Sequence, residues 1–308
     1  MNNQSYTIYG SGFGIYGYLP AILKHSPNIL YLPKDYYLKI KKRPELRKFL
    51  TQIYWKDNKD LCLINSKKII ISIPPKSQKL LIKSFFQKLP KDILAKKMIY
   101  LEKPICENPE GSKELIKVLN EKKISYKINY SFLYTDWFSN LKKNFLDSKN
   151  HIVINWNFIG NHFLKKINWK GYHDLGGGVL RFYSIHIIAL AAYFNFSKFV
   201  DGYIEHYDKK KLIPKKMFLR ISNIKGCILE VNIDSFSTKK EFNISIDGEN
   251  KLNLRNPFES KSIDNNHDIR IPVLENYLYG DDLFDKRLYE TVIDLWFKIE
   301  KNINIKND

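Results

Sequence analysis

The chain has 308 residues, of which 44% are hydrophobic, and a formal net charge of +19 at pH 7. This much apolar material excludes a disordered chain, and the length predicts two domains. The basic residues are spread along the whole sequence rather than clustered, so a nucleic-acid partner is not predicted. The positive field is instead expected to help attract an anionic substrate, such as a phosphorylated or nucleotide-linked sugar.

The cysteines and the apolar segments bear on where the chain resides. The three cysteines are far apart and show no CxxC spacing, so we predict no disulfide framework, no metal site and a reducing, cytoplasmic location. Residues 1–6 are polar and lack the apolar core of a signal peptide. The longest apolar stretch, residues 185–194, is too short to cross a bilayer and predicts a buried helix, so no membrane partner is expected.

The first part of the chain alternates short β-branched runs with amphipathic stretches, the pattern of βαβ units in a parallel sheet. Predicted strands cover residues 6–9, 29–32, 61–64, 69–73, 98–101 and 124–129, and predicted helices cover 16–24, 44–50, 78–89 and 110–122. Within the helix over 78–89, helical spacing directs Leu80, Leu81, Phe85 and Leu89 towards the sheet. We therefore predict an N-terminal Rossmann domain, a doubly wound parallel sheet, over residues 1–130.

The second part of the chain has a different pattern. A strand is predicted over residues 153–158, a long helix over 176–194 beginning at three glycines, strands over 199–207, 217–221, 227–233 and 242–246, and a closing amphipathic helix over 283–299. Strands joined by polar turns favour antiparallel pairing with one face on helices. Residues 131–308 are therefore predicted to form an α+β domain with a large, mostly antiparallel open sheet.

A glycine-rich segment, GSGFGIYG, occupies residues 10–17, directly after the first strand and at the start of a helix. Glycines let the backbone turn tightly and approach a pyrophosphate, and the helix start offers free N–H groups. One register of GxGxxG starts at Gly12, whereas the register that starts at Gly10 places Ile15 where a glycine is expected. The predicted dinucleotide-binding residues of this segment are Gly10, Gly12, Phe13, Gly14 and Gly17.

The residues after the second strand bear on which dinucleotide binds. Asp35 lies close to the place where an acidic residue binds the adenosine ribose hydroxyls, which favours NAD. Lys34 stands just before it and could face a 2′-phosphate, which favours NADP. The cofactor is therefore predicted to be NAD or NADP, with both residues as candidate contacts.

A lysine follows a predicted strand in the segment LEKP, residues 101–104. Ligands of doubly wound folds bind at the carboxyl ends of the strands. Lys103 can donate to a substrate hydroxyl or take part in proton transfer, and the bond before Pro104 can be cis. Lys103 is therefore a candidate catalytic residue.

A second candidate group lies after the three glycines, in the segment LGGGVLRFYSIH over residues 175–186. A lone histidine on an apolar helix is more often a core residue than a catalytic one, so His186 has both interpretations. Tyr183 could supply a second hydrogen-bond donor near the same turn, although aromatic residues here more often serve packing.

Together and in this order, these segments resemble the Gfo/Idh/MocA oxidoreductases, the family of glucose-fructose oxidoreductase and inositol dehydrogenase. The resemblance includes residues 73–75 (IPP) in place of the family's Thr-Pro-Pro, residues 102–104 (EKP), residues 128–130 (INY) and residues 175–186. It covers about the first two thirds of the chain.

The resemblance implies a nicotinamide cofactor, a sugar, polyol or nucleotide-sugar substrate, and hydride transfer at a secondary alcohol. Lys103 matches the lysine of the family's EKP motif, and His186 matches the histidine that ends its GGGxxxDxxxH pattern. Pro74 and Glu102 are implied to lie at the cofactor. The resemblance also implies a homo-oligomer, a dimer or tetramer, in which the open sheet packs against another subunit.

The sequence departs from the family pattern at two places. Phe182 stands where typical dehydrogenases carry an aspartate, and Gln78 stands where many members carry a histidine. The aspartate is an acid/base group that shares a helix face with the histidine, and such groups contribute about 10²–10⁴-fold in rate. Either His186 and Lys103 act alone, or Arg181, Tyr183 or His173 substitutes, or hydride chemistry has been lost.

The sequence thus predicts an NAD(P)-dependent oxidoreductase acting on a sugar or nucleotide-sugar, with surface-polysaccharide synthesis as one setting. The alternative is a non-catalytic or regulatory protein that binds a dinucleotide on a Rossmann domain, and Phe182 is its main support.

Overall fold

The structure is a computed structural model that describes residues 4–25, 27–164, 167–208, 210–259, 268–280 and 286–306. By the contacts between its residues, the chain divides into two compact units. Unit 1 comprises residues 1–105, 114–129 and 260–281, and unit 2 comprises residues 106–113, 130–259 and 282–308. A segment near the C-terminus therefore returns to unit 1.

Unit 1 is built on a six-stranded sheet with the order β3-β2-β1-β4-β5-β6. All of its neighbouring strands pair in parallel, and this order is that of the Rossmann fold. The strands are β1 (Ser5–Tyr9), β2 (Ile29–Pro33), β3 (Ile53–Lys56), β4 (Lys68–Ile71), β5 (Met98–Glu102) and β6 (Ser125–Asn129). The predicted N-terminal Rossmann sheet is confirmed.

Helical segments connect these strands. The first is a π-helical turn, Gly14–Tyr18, that continues into α1 (Leu19–Leu23). The other α-helices that pack in or lead into this unit are α2 (Tyr37–Lys41), α3 (Lys59–Asn65), α4 (Pro75–Lys88), α5 (Lys91–Ala95), α6 (Pro109–Glu121) and, from the returning segment, α10 (Ile271–Tyr279). Two 3₁₀ segments, Lys34–Tyr36 and Pro44–Gln52, complete the unit.

The strand predicted over residues 61–64 is wrong, because these residues lie within helix α3. The side chain of Asn58 accepts a hydrogen bond from the amide of Leu61 and caps the helix, which a short apolar run alone does not reveal. The edge strand is β3 instead, which the sequence analysis missed. Phe85 of α4 and Leu89, directly after it, are buried as predicted, but Leu80 is 63% exposed and does not face the sheet.

A buried lysine closes the C-terminal end of α3. Lys97 is 5% exposed, and its Nζ donates to the carbonyl oxygen of Leu63 at 2.8 Å and to those of Ile64 and Ser66. Burial lowers the pKa of this lysine. The last carbonyls of a helix have no partner within the helix, so Lys97 satisfies groups that would otherwise be buried unpaired.

Replacing Lys97 with methionine is therefore expected to lower the free energy of unfolding by about 1–3 kcal/mol, the cost of leaving buried carbonyls unpaired. Urea unfolding followed by circular dichroism measures the change. The matched control is Lys96→Met at the exposed neighbouring position, and equal stability of the two variants would contradict the capping role.

Unit 2 contains a seven-stranded sheet with the order β12-β11-β7-β10-β9-β8-β13. Its pairs are antiparallel except β7 with β10 and β8 with β13, so the predicted mostly antiparallel sheet is confirmed. The strands are β7 (His151–Ile159), β8 (Phe196–Asp208), β9 (Ile213–Asn223), β10 (Ile228–Asp234), β11 (Phe236–Ile246), β12 (Glu249–Leu254) and β13 (Asn304–Ile305). Its further helices are α7 (Asp136–Asp147), α8 (Asn161–Leu164), α9 (Ile185–Tyr193) and α11 (Lys286–Asn302).

The helix predicted over residues 176–194 is not continuous. Gly176 (φ 82°) ends a 3₁₀ turn and Gly178 (φ 77°) caps the helical turn that follows, so the helical segment begins only after the three glycines. A π-helical turn, Val179–Tyr183, follows, and α9 then runs at a bend of 53°. The predicted closing helix corresponds to α11, which begins at Lys286. Residues 283–285 of the predicted helix lie outside the described residues.

The apolar residues of α9 form part of the core of unit 2, as predicted for a buried helix. Over the described residues, no single helix has the length and apolar composition needed to span a membrane. One bent pair, His173–Tyr183 with Ile185–Tyr193, meets that requirement by length and composition only.

Candidate functional site

The glycine turn after β1 has one glycine that the fold requires and one that leaves open space. Gly10 has φ 131°, and a Cβ there would lie 2.1 Å from the carbonyl oxygen of Ser72. Its amide donates to the hydroxyl of Tyr36 at 3.0 Å. A Cβ at Gly12, in contrast, would meet no atom within 4 Å. The chain therefore turns tightly at Gly10 and presents bare backbone at Gly12.

These environments distinguish the two registers of the glycine motif. A Cβ at Gly14 would lie 2.7 Å from the Ile8 side chain, and one at Gly17 would lie 2.4 Å from the ring of Phe13. Both glycines thus make room for neighbouring side chains. The tight turn at Gly10 and the open position at Gly12 fit the register that starts at Gly10, with buried Ile15 in the third position.

A cavity of about 320 Å³ lies beside this turn in unit 1. Its lining comprises Tyr9, Gly10, Ser11, Asp35, Tyr36, Lys39, Lys59, Asp60, Ile73, Leu81, Phe85 and Lys88. Asp35 is therefore brought to the glycine turn, as predicted. Lys34 is not among the lining residues, and its Nζ lies 2.6 Å from Oδ1 of Asp57. Pro74 caps α4 just after Ile73, at the end of the strand that faces Gly10.

The cavity contains both signs of charge. Lys88 pairs with Asp60 at 2.7 Å. Lys39 donates to Oγ of Ser11 at 2.9 Å, and Lys59 lies over the ring of Tyr36 at 5.7 Å. Asp35 suits a ribose hydroxyl and Lys39 suits a phosphate, so the lining is compatible with NAD and with NADP.

A glutamine fixes the backbone on both sides of Lys103. The bond between Lys103 and Pro104 is cis. Nε2 of Gln78 donates to the carbonyl oxygen of Glu102 at 2.9 Å and to that of Pro104 at 3.1 Å. Both Gln78 and Lys103 are buried. The side-chain amide nitrogen carries two hydrogens and can donate to both carbonyls. Gln78, which stands where many members of the family carry a histidine, therefore has a structural role.

The carboxylate of Glu102 joins three elements of unit 1. Its Oε1 accepts hydrogen bonds from the hydroxyl of Tyr18 at 2.5 Å and from Nδ2 of Asn129 at 2.8 Å. Burial raises the pKa of this carboxyl, against the opposing effect of these two donors. Glu102 therefore connects the helix of the glycine turn with the strand end that carries Lys103.

In unit 2, the histidine of the glycine-rich pattern is packed in the core. His186 is 3% exposed, and its ring stacks on that of Phe132 with centroids 4.9 Å apart. Phe182 contacts the ring of Trp169 edge-on at 5.4 Å, and Nζ of Lys170 lies 5.2 Å from the centroid of its ring. An aromatic and cationic cluster thus stands where the family pattern has an aspartate.

Tyr183 is paired with a histidine that the sequence analysis missed. Its hydroxyl lies 3.3 Å from Nδ1 of His162. His162 is 1% exposed, and Nε2 has no hydrogen-bond partner among the described residues. A Cβ at Gly160 or Gly171 would lie within 2.9 Å of the His162 ring, so these two glycines make the space that the imidazole fills.

The other predicted substitutes for the aspartate differ in their surroundings. Arg181 donates to both carboxylate oxygens of Glu300, at 2.7 and 2.6 Å, and to the carbonyl oxygens of Glu107 and His173. Its guanidinium is therefore engaged in internal contacts. His173 is half-buried, and its Nδ1 has no partner within the described part of the chain.

Burial lowers the pKa of His162 to about 4 and that of His173 to about 4. Because the folded-state pKa lies below the ordinary value, their contribution to stability is complete above about pH 6.5 and is lost as the pH falls towards 4. The free energy of unfolding should therefore decrease over that interval. Urea unfolding at several pH values measures the slope, which should be shallower in His162→Gln; an unchanged slope in that variant would contradict the assignment.

Comparisons with solved structures identify proteins that share this fold. No family model and no curated protein matches the sequence, but solved structures match the fold over nearly the whole chain. The WlbA dehydrogenase from Bordetella pertussis, in complex with NADH and UDP-GlcNAcA, has a TM-score of 0.73 at 13% identity, covering 98% of this chain and 96% of that chain. GenD2 from gentamicin A biosynthesis, in complex with NAD, has a TM-score of 0.72 at 11% identity, covering 98% and 93%.

A third match is KijD10, a 3-ketoreductase from Actinomadura kijaniata in complex with NADP and TDP-benzene. Its TM-score is 0.66 at 12% identity, covering 99% of both chains. This chain has the same fold as these three proteins. The resemblance stated from the sequence motifs is thereby confirmed at the level of the fold.

Four residues that shape the candidate site were not predicted from the sequence. Tyr36 and Lys39 contact the glycine turn, His162 contacts Tyr183, and Arg270 lies over Phe13. Only Lys39 had a signal that could have been used, since it lies four residues after Asp35 on the same helical segment. Tyr36 directly follows Asp35 but matches no motif, and no motif links His162 to Tyr183 or Arg270 to Phe13.

Proposed function

We propose that the protein is an NAD(P)-dependent oxidoreductase that transfers a hydride between a bound nicotinamide dinucleotide and a secondary alcohol or ketone of a sugar or nucleotide-sugar. The observation that carries this proposal is the glycine turn of unit 1. Gly10 turns where no side chain fits, and Gly12 leaves its backbone open beside a cavity that contains Asp35. WlbA, GenD2 and KijD10, which share the fold, were solved with NADH, NAD and NADP.

The residues of unit 1 fit a dinucleotide. Any side chain at Gly12 would fill the space through which a pyrophosphate approaches the backbone, and that space is open. Asp35 or Lys39 would contact the adenosine ribose or its 2′-phosphate. Gly10, Phe13, Gly14 and Gly17 shape the turn, and Pro74 and Glu102 support its surroundings. We assign these residues to the cofactor, with NAD or NADP as the ligand.

The bound nicotinamide supplies the hydride acceptor or donor. The ammonium of Lys103 donates a hydrogen bond to the reacting oxygen and stabilises the negative charge that develops there. Gln78 donates hydrogen bonds to the carbonyls on both sides of this lysine, so the backbone that carries the side chain of Lys103 is held in place. We also assign catalytic roles to two residues of unit 2, His186 as a proton acceptor and Tyr183 as a hydrogen-bonding group.

The substrate class follows from the charge of the chain and from its structural neighbours. A formal net charge of +19 attracts anions, and a nucleotide-sugar carries its charge on a diphosphate. WlbA and KijD10 were solved with UDP-GlcNAcA and TDP-benzene. We therefore propose a nucleotide-linked sugar as the preferred substrate, in surface-polysaccharide synthesis.

A turnover assay tests this function. The purified chain is incubated with NAD⁺ or NADP⁺ and a panel of nucleotide-sugars, sugars and polyols, or with the reduced cofactors and the corresponding ketones. The absorbance of the reduced nicotinamide is followed. We expect oxidation or reduction of at least one nucleotide-sugar. Transfer of deuterium from the substrate carbon to the nicotinamide ring would distinguish hydride transfer from other reactions.

A second candidate function is a non-catalytic or regulatory protein that binds a dinucleotide. The cluster of Phe182, Trp169 and Lys170 favours it, because no carboxylate stands at position 182, and the tight packing of His186 favours it as well. Binding of a dinucleotide without turnover across the whole panel would support this function over the oxidoreductase.

The assignment of domains and the assembly are also proposals. The sequence predicts a dinucleotide-binding domain over residues 1–130 and a second domain over residues 131–308, whereas residues 260–281 belong to unit 1 and residues 106–113 to unit 2. We propose unit 1 as the dinucleotide-binding domain and unit 2 as the substrate-binding and oligomerisation domain of a cytoplasmic homodimer or homotetramer. Three buried cysteines with free thiols suit a reducing compartment. Light scattering of the purified chain measures its mass in solution, and a monomer would contradict the proposed assembly.

A further inference from the structure

An arginine from the returning C-terminal segment contacts the glycine turn of unit 1. Arg270 precedes α10, and its guanidinium carbon lies 3.8 Å from the centroid of the Phe13 ring. Phe13 is the residue directly after Gly12, the open glycine of the turn. The contact is a close cation–π stack on the residue that follows the proposed pyrophosphate contact.

A carboxylate holds this arginine in place. Nε and Nη2 of Arg270 donate to Oδ1 and Oδ2 of Asp268, both at 2.8 Å. The guanidinium carbon of Arg270 also lies 5.8 Å from the centroid of the Tyr16 ring. The side chains of Arg270 and Asp268 are 30% and 16% exposed, so this bidentate pair is better shielded than an ordinary surface pair. The guanidinium plane is therefore fixed over the ring.

The Phe13 ring has little freedom on the helix that it begins. It occupies the place that a Cβ of Gly17 would need, and it contacts Tyr18 edge-on with centroids 5.5 Å apart. The direction of the first backbone N–H groups depends on the conformation at Phe13, and these groups have no partner within the helix. A residue that fixes Phe13 thus fixes the donors that a pyrophosphate would use.

We propose that Arg270 and Asp268 are positioning residues that hold the glycine turn in its dinucleotide-binding conformation by clamping Phe13 and Tyr16. This inference rests on the proposed dinucleotide site and adds a determinant of affinity that no glycine motif contains. Lysine at position 270 would keep the charge but not the planar group that both stacks on a ring and binds a carboxylate bidentately.

Calorimetric titration of the full chain with NADH and with NADPH tests the clamp. Arg270→Met and Arg270→Lys are each expected to raise the Kd of the more tightly bound dinucleotide by about 2- to 30-fold. This change corresponds to the loss of one cation–π contact of about 0.5–2 kcal/mol. Asp268→Asn should raise the Kd less, because the stack remains. Arg255→Ala, which removes the same charge at an exposed position of unit 2, is the control and should bind like the wild type.

Amide hydrogen exchange without ligand supplies a second readout. Exchange at residues 12–17 should be faster in Arg270→Lys than in the wild type, even if Arg270→Met does not fold. If the wild type binds a dinucleotide and both Arg270 variants bind it equally well, the clamp is overturned and the proposed function stands. An equal loss in Arg255→Ala would also overturn the clamp, since net charge would then explain the effect. If the wild type binds neither NADH nor NADPH, the proposed function itself fails.

Discussion

Alanine in place of Gly12 is expected to weaken the binding of NAD(H) or NADP(H) by about 5- to 150-fold, as inserting a methyl group into a tight contact costs about 1–3 kcal/mol. A Cβ at this position meets no atom of the chain, so the free energy of unfolding should not change. Calorimetric titration measures the affinity and urea unfolding measures the stability. The substitution therefore separates binding from folding.

The matched comparison for that substitution is Gly10→Ala. Here a Cβ would lie 2.1 Å from the carbonyl oxygen of Ser72 at φ 131°, so the variant should lose stability by several kcal/mol through steric overlap and backbone strain. If Gly12→Ala bound the dinucleotide as tightly as the wild type, the backbone of Gly12 would not lie against a pyrophosphate, and the register starting at Gly10 would be wrong.

The second large effect is expected at Lys103. With a substrate that the wild type turns over, Lys103→Met should lower kcat by about 10²–10⁴-fold, the usual contribution of a group that polarises or protonates the reacting oxygen. The methionine keeps most of the buried volume, and affinity for the dinucleotide should stay within about threefold of the wild type. Steady-state kinetics and calorimetry on the same protein measure the two quantities.

The control for Lys103 is Lys122→Met, which removes the same charge from an exposed position and should leave kcat unchanged. Equal turnover by Lys103→Met and the wild type on every accepted substrate would show that this lysine has no catalytic role. A parallel loss of dinucleotide affinity would instead indicate that Lys103 acts by supporting the cofactor site.

Much of the fold could be predicted from local patterns. The strands of the Rossmann sheet, apart from β3, are short β-branched runs separated by helical stretches. This alternation of strands and helices predicts a parallel sheet. The segment of α3 was predicted as a strand because its four consecutive apolar residues, 61–64, have no helical spacing. The helix cap at Asn58 is a weaker sequence signal than this apolar run. The predicted helix over 176–194 starts later than predicted, at Val179, because Gly176 and Gly178 adopt positive φ angles, which their identity permits but does not require.

The candidate site was less predictable than the fold. The glycine turn, Asp35 and Lys103 could be proposed from the sequence because each lies in a short motif at the end of a strand. Tyr36, Gln78, His162 and Arg270 take their roles from contacts between distant parts of the chain, and no motif describes those contacts. Gln78 illustrates the limit, since the sequence marks it as a departure from a family pattern, while its two bonds to the carbonyls around Lys103 are evident only in three dimensions.

The central claim is that the turn at residues 10–17 binds a pyridine dinucleotide. Calorimetric titration of the purified chain with NAD⁺, NADH, NADP⁺ and NADPH in turn tests it most directly. We expect saturable binding of one dinucleotide per chain, for at least one of the four, and its reduction in Gly12→Ala. No measurable heat or saturation with any of the four ligands, for a chain shown to be folded, would contradict the proposed function.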